Sequence, residues 1–212
     1  MNYQIDAPGS AIRTTVKLPA SKSISNRALI LNALSYSAYD VENLSDCDDT
    51  NLMVKALNSN DRDFNVGAAG TTMRFLTAFL SKVVGEWTST GTERRKNRPI
   101  KVDALNALGA RIEYMEREGY PPLRIFGSAL QGGEISLPGN VSSQYISAIL
   151  MIAPLTENGV TLHLEGAIIS RPYIHITLQL MEQYGVRASW TENTIKVLPQ
   201  EYKPIRFTVE SD

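Results

Sequence analysis

Leu18-Pro19-Ala20-Ser21-Lys22-Ser23-Ile24-Ser25-Asn26-Arg27-Ala28-Leu29-Ile30-Leu31-Asn32-Ala33-Leu34 places an anion trap in front of a buried helix. Ile24, Ala28, Leu31 and Leu34 recur at helical spacing, so a helix beginning near Ser25 turns one face towards a core. Pro19-Ala20-Ser21 reads as the turn before it. That order leaves the first backbone N–H groups of the helix aimed at the turn, beside the hydroxyls of Ser21, Ser23 and Ser25. Lys22 and Arg27 then sit at the positive end of the helix dipole, where an isolated helix prefers Asp or Glu by a few tenths to about 1 kcal/mol. Cations set against the dipole point to a missing anion. The plainer alternative is a serine N-cap beside two solvated cations.

The same dress recurs along the chain. Gly67-Ala68-Ala69-Gly70-Thr71-Thr72-Met73-Arg74 is a small turn running into Phe75, Leu76, Phe79 and Leu80, again with a cation in the first turn. Ser142-Ser143-Gln144 leads into Tyr145, Ile146, Ile149 and Leu150. Ser170-Arg171-Pro172-Tyr173 leads into Ile174, Leu178 and Met181, with Pro172 suited to a helix first turn. One such start arises easily by chance and four do not, so together they read as one binding surface.

Composition narrows the partners. The 212 residues are 43% hydrophobic, enough for a real core in one large domain or two small ones. A net charge of −1 argues against nucleic acid, which selects a basic excess. Cys47 is the only cysteine, so no internal disulfide forms and a reducing compartment is expected. No early stretch resembles a signal peptide and no run approaches the ~18 apolar residues of a membrane span, which makes the cytoplasm the expected location. His163 and His175 stand apart without metal-ligand spacing, and no metal is expected.

Taken in order, Ile12-Arg13-Thr14-Thr15-Val16-Lys17-Leu18 alternates as a strand does, and residues 39–44 read as a second strand. Ser45-Asp46-Cys47-Asp48-Asp49-Thr50 lacks the glycine and distal Glu of a calcium loop and reads as the acidic start of a helix through Leu57. A further unit runs from Phe64 through a helix over 71–82, a strand over 87–92, a helix over 101–108 stopped by Gly109, and a hairpin of 111–115 with Leu123–Gly127 across Gly119-Tyr120-Pro121-Pro122. The next repeats that order: strand 134–138, helix 142–153, strand Val160–Glu165, helix 172–184 stopped by Gly185, then 186–190 pairing with 194–198. The chain therefore reads as an α/β (α+β) fold of three βαβαββ units packed around buried helices. If the helices run in parallel, their N-termini converge on one cleft and focus positive potential there. Arg94-Arg95-Lys96-Asn97-Arg98, the densest basic cluster, is then a clamp for phosphate or carboxylate.

Six ordered motifs also carry a family resemblance: Leu-Pro-Ala-Ser-Lys-Ser-Ile-Ser-Asn-Arg-Ala at 18–28, Ala-Gly-Thr-Thr-Met-Arg at 69–74, Arg-Arg-Lys-Asn-Arg-Pro-Ile at 94–100, Gly-Tyr-Pro-Pro-Leu at 119–123, Ser-Ser-Gln-Tyr-Ile-Ser-Ala at 142–148 and Ser-Arg-Pro-Tyr-Ile at 170–174. In that order they resemble the EPSP synthase family, the 3-phosphoshikimate 1-carboxyvinyltransferases. The resemblance implies one domain of the enolpyruvyl transferase fold over 18–212, with 1–17 a strand segment leaning on a second domain. It implies transfer of the carboxyvinyl group of phosphoenolpyruvate to the 5-hydroxyl of shikimate 3-phosphate, through a tetrahedral intermediate and with no metal or organic cofactor.

Carried over by position, the resemblance gives shikimate 3-phosphate to Lys22, Ser23, Arg27, Ser142, Ser143, Gln144, Ser170 and Tyr173. It gives phosphoenolpyruvate to Lys22, the Gly70 N–H, Arg94 and Gln144, makes Lys22 the catalytic residue here, and leaves Arg74 and Arg98 as supporting charges. Ala20, Ala68 and Phe75 depart from the usual Gly, Asn and Pro. The last residues, Phe207-Thr208-Val209-Glu210-Ser211-Asp212, resemble the crossover into a second, C-terminal domain that supplies the proton-moving carboxylate and lysine. The expectation is thus an N-terminal domain that binds shikimate 3-phosphate without turning over. Two alternatives stay open. One is the related carboxyvinyltransferase of UDP-N-acetylglucosamine, whose opening usually reads Lys-Asn where this chain has Lys22-Ser23; the other is a non-catalytic anion-binding domain.

Overall fold

Strand pairing reveals the repeat. The computed structural model describes residues 3, 4, 9 and 11–212. In chain order the elements are α1 (Lys22–Leu34), β1 (Val41–Glu42), α2 (Asp48–Leu57), β2 (Asp63–Asn65), α3 (Gly70–Lys82), β3 (Gly85–Thr90), the single turn α4 (Glu93–Lys96), α5 (Asp103–Ala107), β4 (Arg111–Tyr114), β5 (Leu123–Gly127), β6 (Gly133–Pro138), α6 (Ser143–Ile152), β7 (Val160–Glu165), α7 (Arg171–Gln183), β8 (Ala188–Thr191), β9 (Thr194–Val197) and β10 (Phe207–Thr208).

Two four-stranded sheets have the orders β2-β3-β5-β4 and β6-β7-β9-β8. In each, the first pair is parallel and spanned by a helix, α3 or α6, and the other two pairs are antiparallel. The closing hairpins are the ones expected from Gly119-Tyr120-Pro121-Pro122 and from the alternation after Gly185. The remaining unit is reduced. β1 pairs in parallel with β10 from the other end of the chain, Val41 opposite Phe207 and Glu42 opposite Thr208. Between α2 and β2 only residues 58–62 remain, too few for a pair of strands of ~5 residues each. Here the βαβαββ order stops at α2, and the sheet borrows its partner strand from residues 207–208.

The helices lie inside. Nine of the ten residues of α6 are buried, and α1, α3 and α7 pack on one another or on α6, with the sheets outside them. Ala28, Leu31, Met73, Phe75, Ile149, Leu150, Ile174 and Met181 are all fully buried, the spacing that the apolar stripes call for.

The alternating segment 12–18 does not form a strand. It is irregular and exposed, with Ile12 at 72% and Val16 at 71%. A period-two pattern makes a strand only where a ladder partner exists, and among the described residues none is paired with it. Most of 1–10, where the leaning segment was expected to begin, lies outside the described residues. The strand expected over 39–44 shrinks to Val41–Glu42. It ends at Asn43, whose φ of 53° is left-handed and whose side-chain amide donates to Val209 O at 2.6 Å.

Candidate functional site

Four helix starts meet at one cleft of about 420 Å³. α1 contributes Lys22, Ser23, Asn26 and Arg27, α3 contributes Thr71, α6 starts at Ser142, Ser143 and Gln144, and α7 at Ser170 and Tyr173. None of these four helices has an acidic residue in its first turn, whereas α2, which starts behind them, has Asp48 and Asp49. Only α1 has a side-chain cap, a long 3.4 Å bond from Ile24 N–H to Ser21 Oγ. The N-caps Ala69, Ser142 and Ser170 provide none. Helix starts lacking both cap and carboxylate keep their positive dipole ends available to an external anion.

All eight residues expected to hold the first substrate line this cleft. Gly70 and Arg94 do not. Gly70 opens α3 just behind the rim, where Arg74 Nη1 donates both to Gly70 O and to Gln144 Oε1 at 3.0 Å. Gln144 Nε2 in turn donates to Thr71 Oγ1 at 2.8 Å. Arg74 thus ties the starts of α3 and α6 together. Arg94 is exposed on α4, outside the lining.

Arg27 is almost wholly enclosed, 2% exposed. Its Nε donates to Thr177 Oγ1 at 2.7 Å, Nη1 to Ser23 O at 2.8 Å, and Nη2 to Ser147 Oγ at 3.0 Å and Tyr173 O at 3.4 Å. Four of the five guanidinium N–H groups are spent this way and one on Nη1 is left. Burial pulls its pKa down to about 10, so it stays charged at neutral pH. The partners are all neutral oxygens, so its charge is oriented without being cancelled.

Lys22 is more open. It faces Asp49 of α2 at 3.5 Å. The adjacent Thr50 hydroxyl donates to Asn26 Oδ1 at 2.9 Å, and the Asp49 carbonyl accepts from Thr72 Oγ1 at 2.7 Å. The acidic stretch read as a helix start is one, and it also braces the cleft from behind.

Sequence reasoning missed Asn26 and Thr71. Both were visible in principle: Asn26 lies one turn from Ser23 on the Arg27 side of α1, and Thr71 is in the first turn of α3. It also missed Arg95. The single turn of α4 sends Arg94 outwards and Arg95 into the core, where Arg95 is fully buried. Arg95 Nε meets Met73 Sδ at 3.1 Å and Nη1 meets Arg98 O at 3.3 Å, while Nη2 has no partner among the described residues. Burial first, then the charges of Arg74 and Arg98, push the Arg95 pKa down to about 10. Arg74 is lowered too, by burial and then by Arg98. Three guanidiniums therefore raise the positive potential behind Gln144.

Among the described residues no helix is long and apolar enough to cross a membrane. The family model described as EPSP synthase (3-phosphoshikimate 1-carboxyvinyltransferase) matches residues 7–60 and 57–212. A protein named 3-phosphoshikimate 1-carboxyvinyltransferase from Bacteroides fragilis is 58% identical over 215 residues, which cover 100% of this chain and 52% of that protein. One of the same name from Vibrio campbellii is 42% identical over 236 residues, covering 97% of this chain and 55% of its own length. The chain thus spans about half the length of the curated relatives it matches. The solved EPSP synthase from Acinetobacter baumannii superposes with a TM-score of 0.81 at 21% identity, over 93% of this chain and 50% of that one, a likeness of fold. Motif order, repeat architecture and family match agree, and the chain belongs to the EPSP synthase family.

Proposed function

We propose that the cleft binds shikimate 3-phosphate, with phosphoenolpyruvate beside it, and that this chain provides one half of the site that transfers the carboxyvinyl group to the 5-hydroxyl. The observation that carries this reading is the convergence of four acid-free helix starts with Lys22 and Arg27 on a cleft lined by hydroxyl, amide and phenol groups. Such a lining suits a multiply anionic, hydroxylated guest. Ser142, Ser143 and Ser170 offer hydroxyls and backbone N–H groups to phosphate, and Arg27 offers its remaining Nη1 N–H. Gln144 and Lys22 serve both substrates in this reading. Gly70 N–H and Arg94 take phosphoenolpyruvate in this reading, with Arg94 swinging in from α4. Residues 18–212 form the binding domain, and 1–17 lean on the further domain that the relatives' length allows.

Titration calorimetry of the 212-residue chain tests the reading. Shikimate 3-phosphate is expected to bind saturably, and Ser142→Ala with Ser143→Ala to weaken it about tenfold or more, as losing bonds to a charged group does. UDP-N-acetylglucosamine is expected to give no saturable heat. No binding of shikimate 3-phosphate at millimolar concentration refutes a binding site preformed on this half. Phosphate release by this chain alone from the two substrates refutes the half-site, because the proton-moving carboxylate and lysine are assigned to the second domain.

A further inference from the structure

The neutral oxygens around Arg27 have only one consistent hydrogen-bond polarity. Thr177 Oγ1 donates its single proton to Tyr173 O at 2.9 Å, one turn back on α7, and accepts from Arg27 Nε. Its 2.7 Å contact with Ser147 Oγ then closes only if Ser147 donates. Ser147 Oγ is left to accept from Arg27 Nη2. Both hydroxyl protons point away from the guanidinium and both oxygens towards it. Thr177 and Ser147 are fully buried, so neither can touch a guest.

The consequence is positional. One hydroxyl from α6 and one from α7 fix the plane of a cation on α1, and the same Thr177 proton ends on the carbonyl of Tyr173, whose residue lines the cleft. A carboxylate in their place would hold Arg27 more strongly and neutralise it. A hydroxyl pair orients it and leaves its charge to the guest.

We propose that Thr177 and Ser147 are positioning residues of the cleft, aiming the remaining Arg27 N–H and the start of α7 at the phosphate-bearing substrate. This rests on the reading of the site as one for shikimate 3-phosphate and adds to it two residues that never contact the ligand.

The test titrates shikimate 3-phosphate into the unaltered chain and into Thr177→Val, Thr177→Ser and Ser147→Ala, with a thermal melt of each and a 1H–15N spectrum of the Arg27 Nε–H. Thr177→Val keeps the shape and loses the oxygen. It is expected to raise Kd about tenfold or more and to lose the slowly exchanging Nε–H signal, while Thr177→Ser keeps both near the unaltered values. A folded Thr177→Val that binds like the unaltered chain overturns the proposal, as does a lowered Tm with unchanged Kd, the mark of a merely structural role. If Thr177→Val does not fold, Ser147→Ala decides: unchanged affinity there overturns the proposal, and weakened affinity at retained fold supports it. Failure of the unaltered chain to bind sinks the reading of a preformed half-site and this assignment with it, whereas normal binding with indifferent variants sinks this assignment alone.

Discussion

Arg95 carries a full charge into the core, where its partners are a thioether and a carbonyl and Nη2 has no partner among the described residues. A buried cation held this way costs several kcal/mol relative to water, partly recovered by its two contacts. Its neighbours Arg74 and Arg98 add repulsion. Arg95→Met, unbranched and of similar length, is therefore expected to stabilise the chain by about 1–2 kcal/mol. The pH dependence has a definite sign. The folded pKa, about 10, lies below the ordinary arginine value, so the penalty is complete below pH 10 and fades as the folded form loses its proton above it. Denaturant melts at pH 7 and pH 10.5 should show the advantage of Arg95→Met shrinking at the higher pH; an equal or growing advantage would refute this account. Such a residue is hard to recognise in sequence. Four cations in five positions read as a clamp for phosphate or carboxylate, and nothing in Arg94-Arg95-Lys96 says which one a single helical turn will bury. Lys22 and the Ser142-Ser143-Gln144 group were legible because each sits at the start of a long apolar stripe, and Arg27 because it lies one turn on from Ser23 in the same helix.

At the scale of elements, helices were read well and lone strands poorly. α1, α3, α6 and α7 each announce themselves twice, by a polar start and an apolar face, and α7 also by a stopping glycine, Gly185, whose φ of 89° suits it to end a helix. The hairpins were legible because two alternating runs with a turn between them carry their own partner. Segment 12–18 carries alternation with no partner strand among the described residues, and 39–44 keeps only the two residues that β10 pairs with. Helix and sheet are locked at a point no pattern foretells. A Cβ added at Gly127, the last residue of β5, would lie 1.6 Å from Val83 O, just past the end of α3. Gly127→Ala should thus force β5 away from α3 and cost about 2–3 kcal/mol, a fall in Tm of about 5–10 °C for a chain of this size. An unchanged Tm in a calorimetric scan would show that the sheet yields without cost.

At the scale of the whole molecule, residues 20–43 and 207–211 together build the reduced unit and with it the opening of the cleft. Ser21 N–H donates to Glu210 O at 2.9 Å, Ala20 bridges Ser211, Asn43 reaches Val209 O, and β10 is the partner of β1. Ser21 is the N-cap of α1, so residues 207–212 hold the turn that presents Lys22 and Ser23. The missing hairpin sharpens this dependence, since among the described residues β1 has no other partner strand. The alignment with the Vibrio campbellii protein runs longer than the chain itself, so that relative carries segments absent here, while the Bacteroides fragilis alignment is nearly the length of the chain. Removing 207–212 should therefore act at a distance in sequence. The two four-stranded sheets share no strand with β10 and are expected to keep their amide protection. Residues 20–26 and 41–42 are expected to exchange faster, and affinity for shikimate 3-phosphate to fall, because the start of α1 frays while Ser142 and Ser143 stay in place. Hydrogen exchange by mass spectrometry reads both halves of this expectation at once. Uniform loss of protection would mean that the ends support the whole core, and unchanged exchange at 20–26 would mean that α1 holds its first turn unaided.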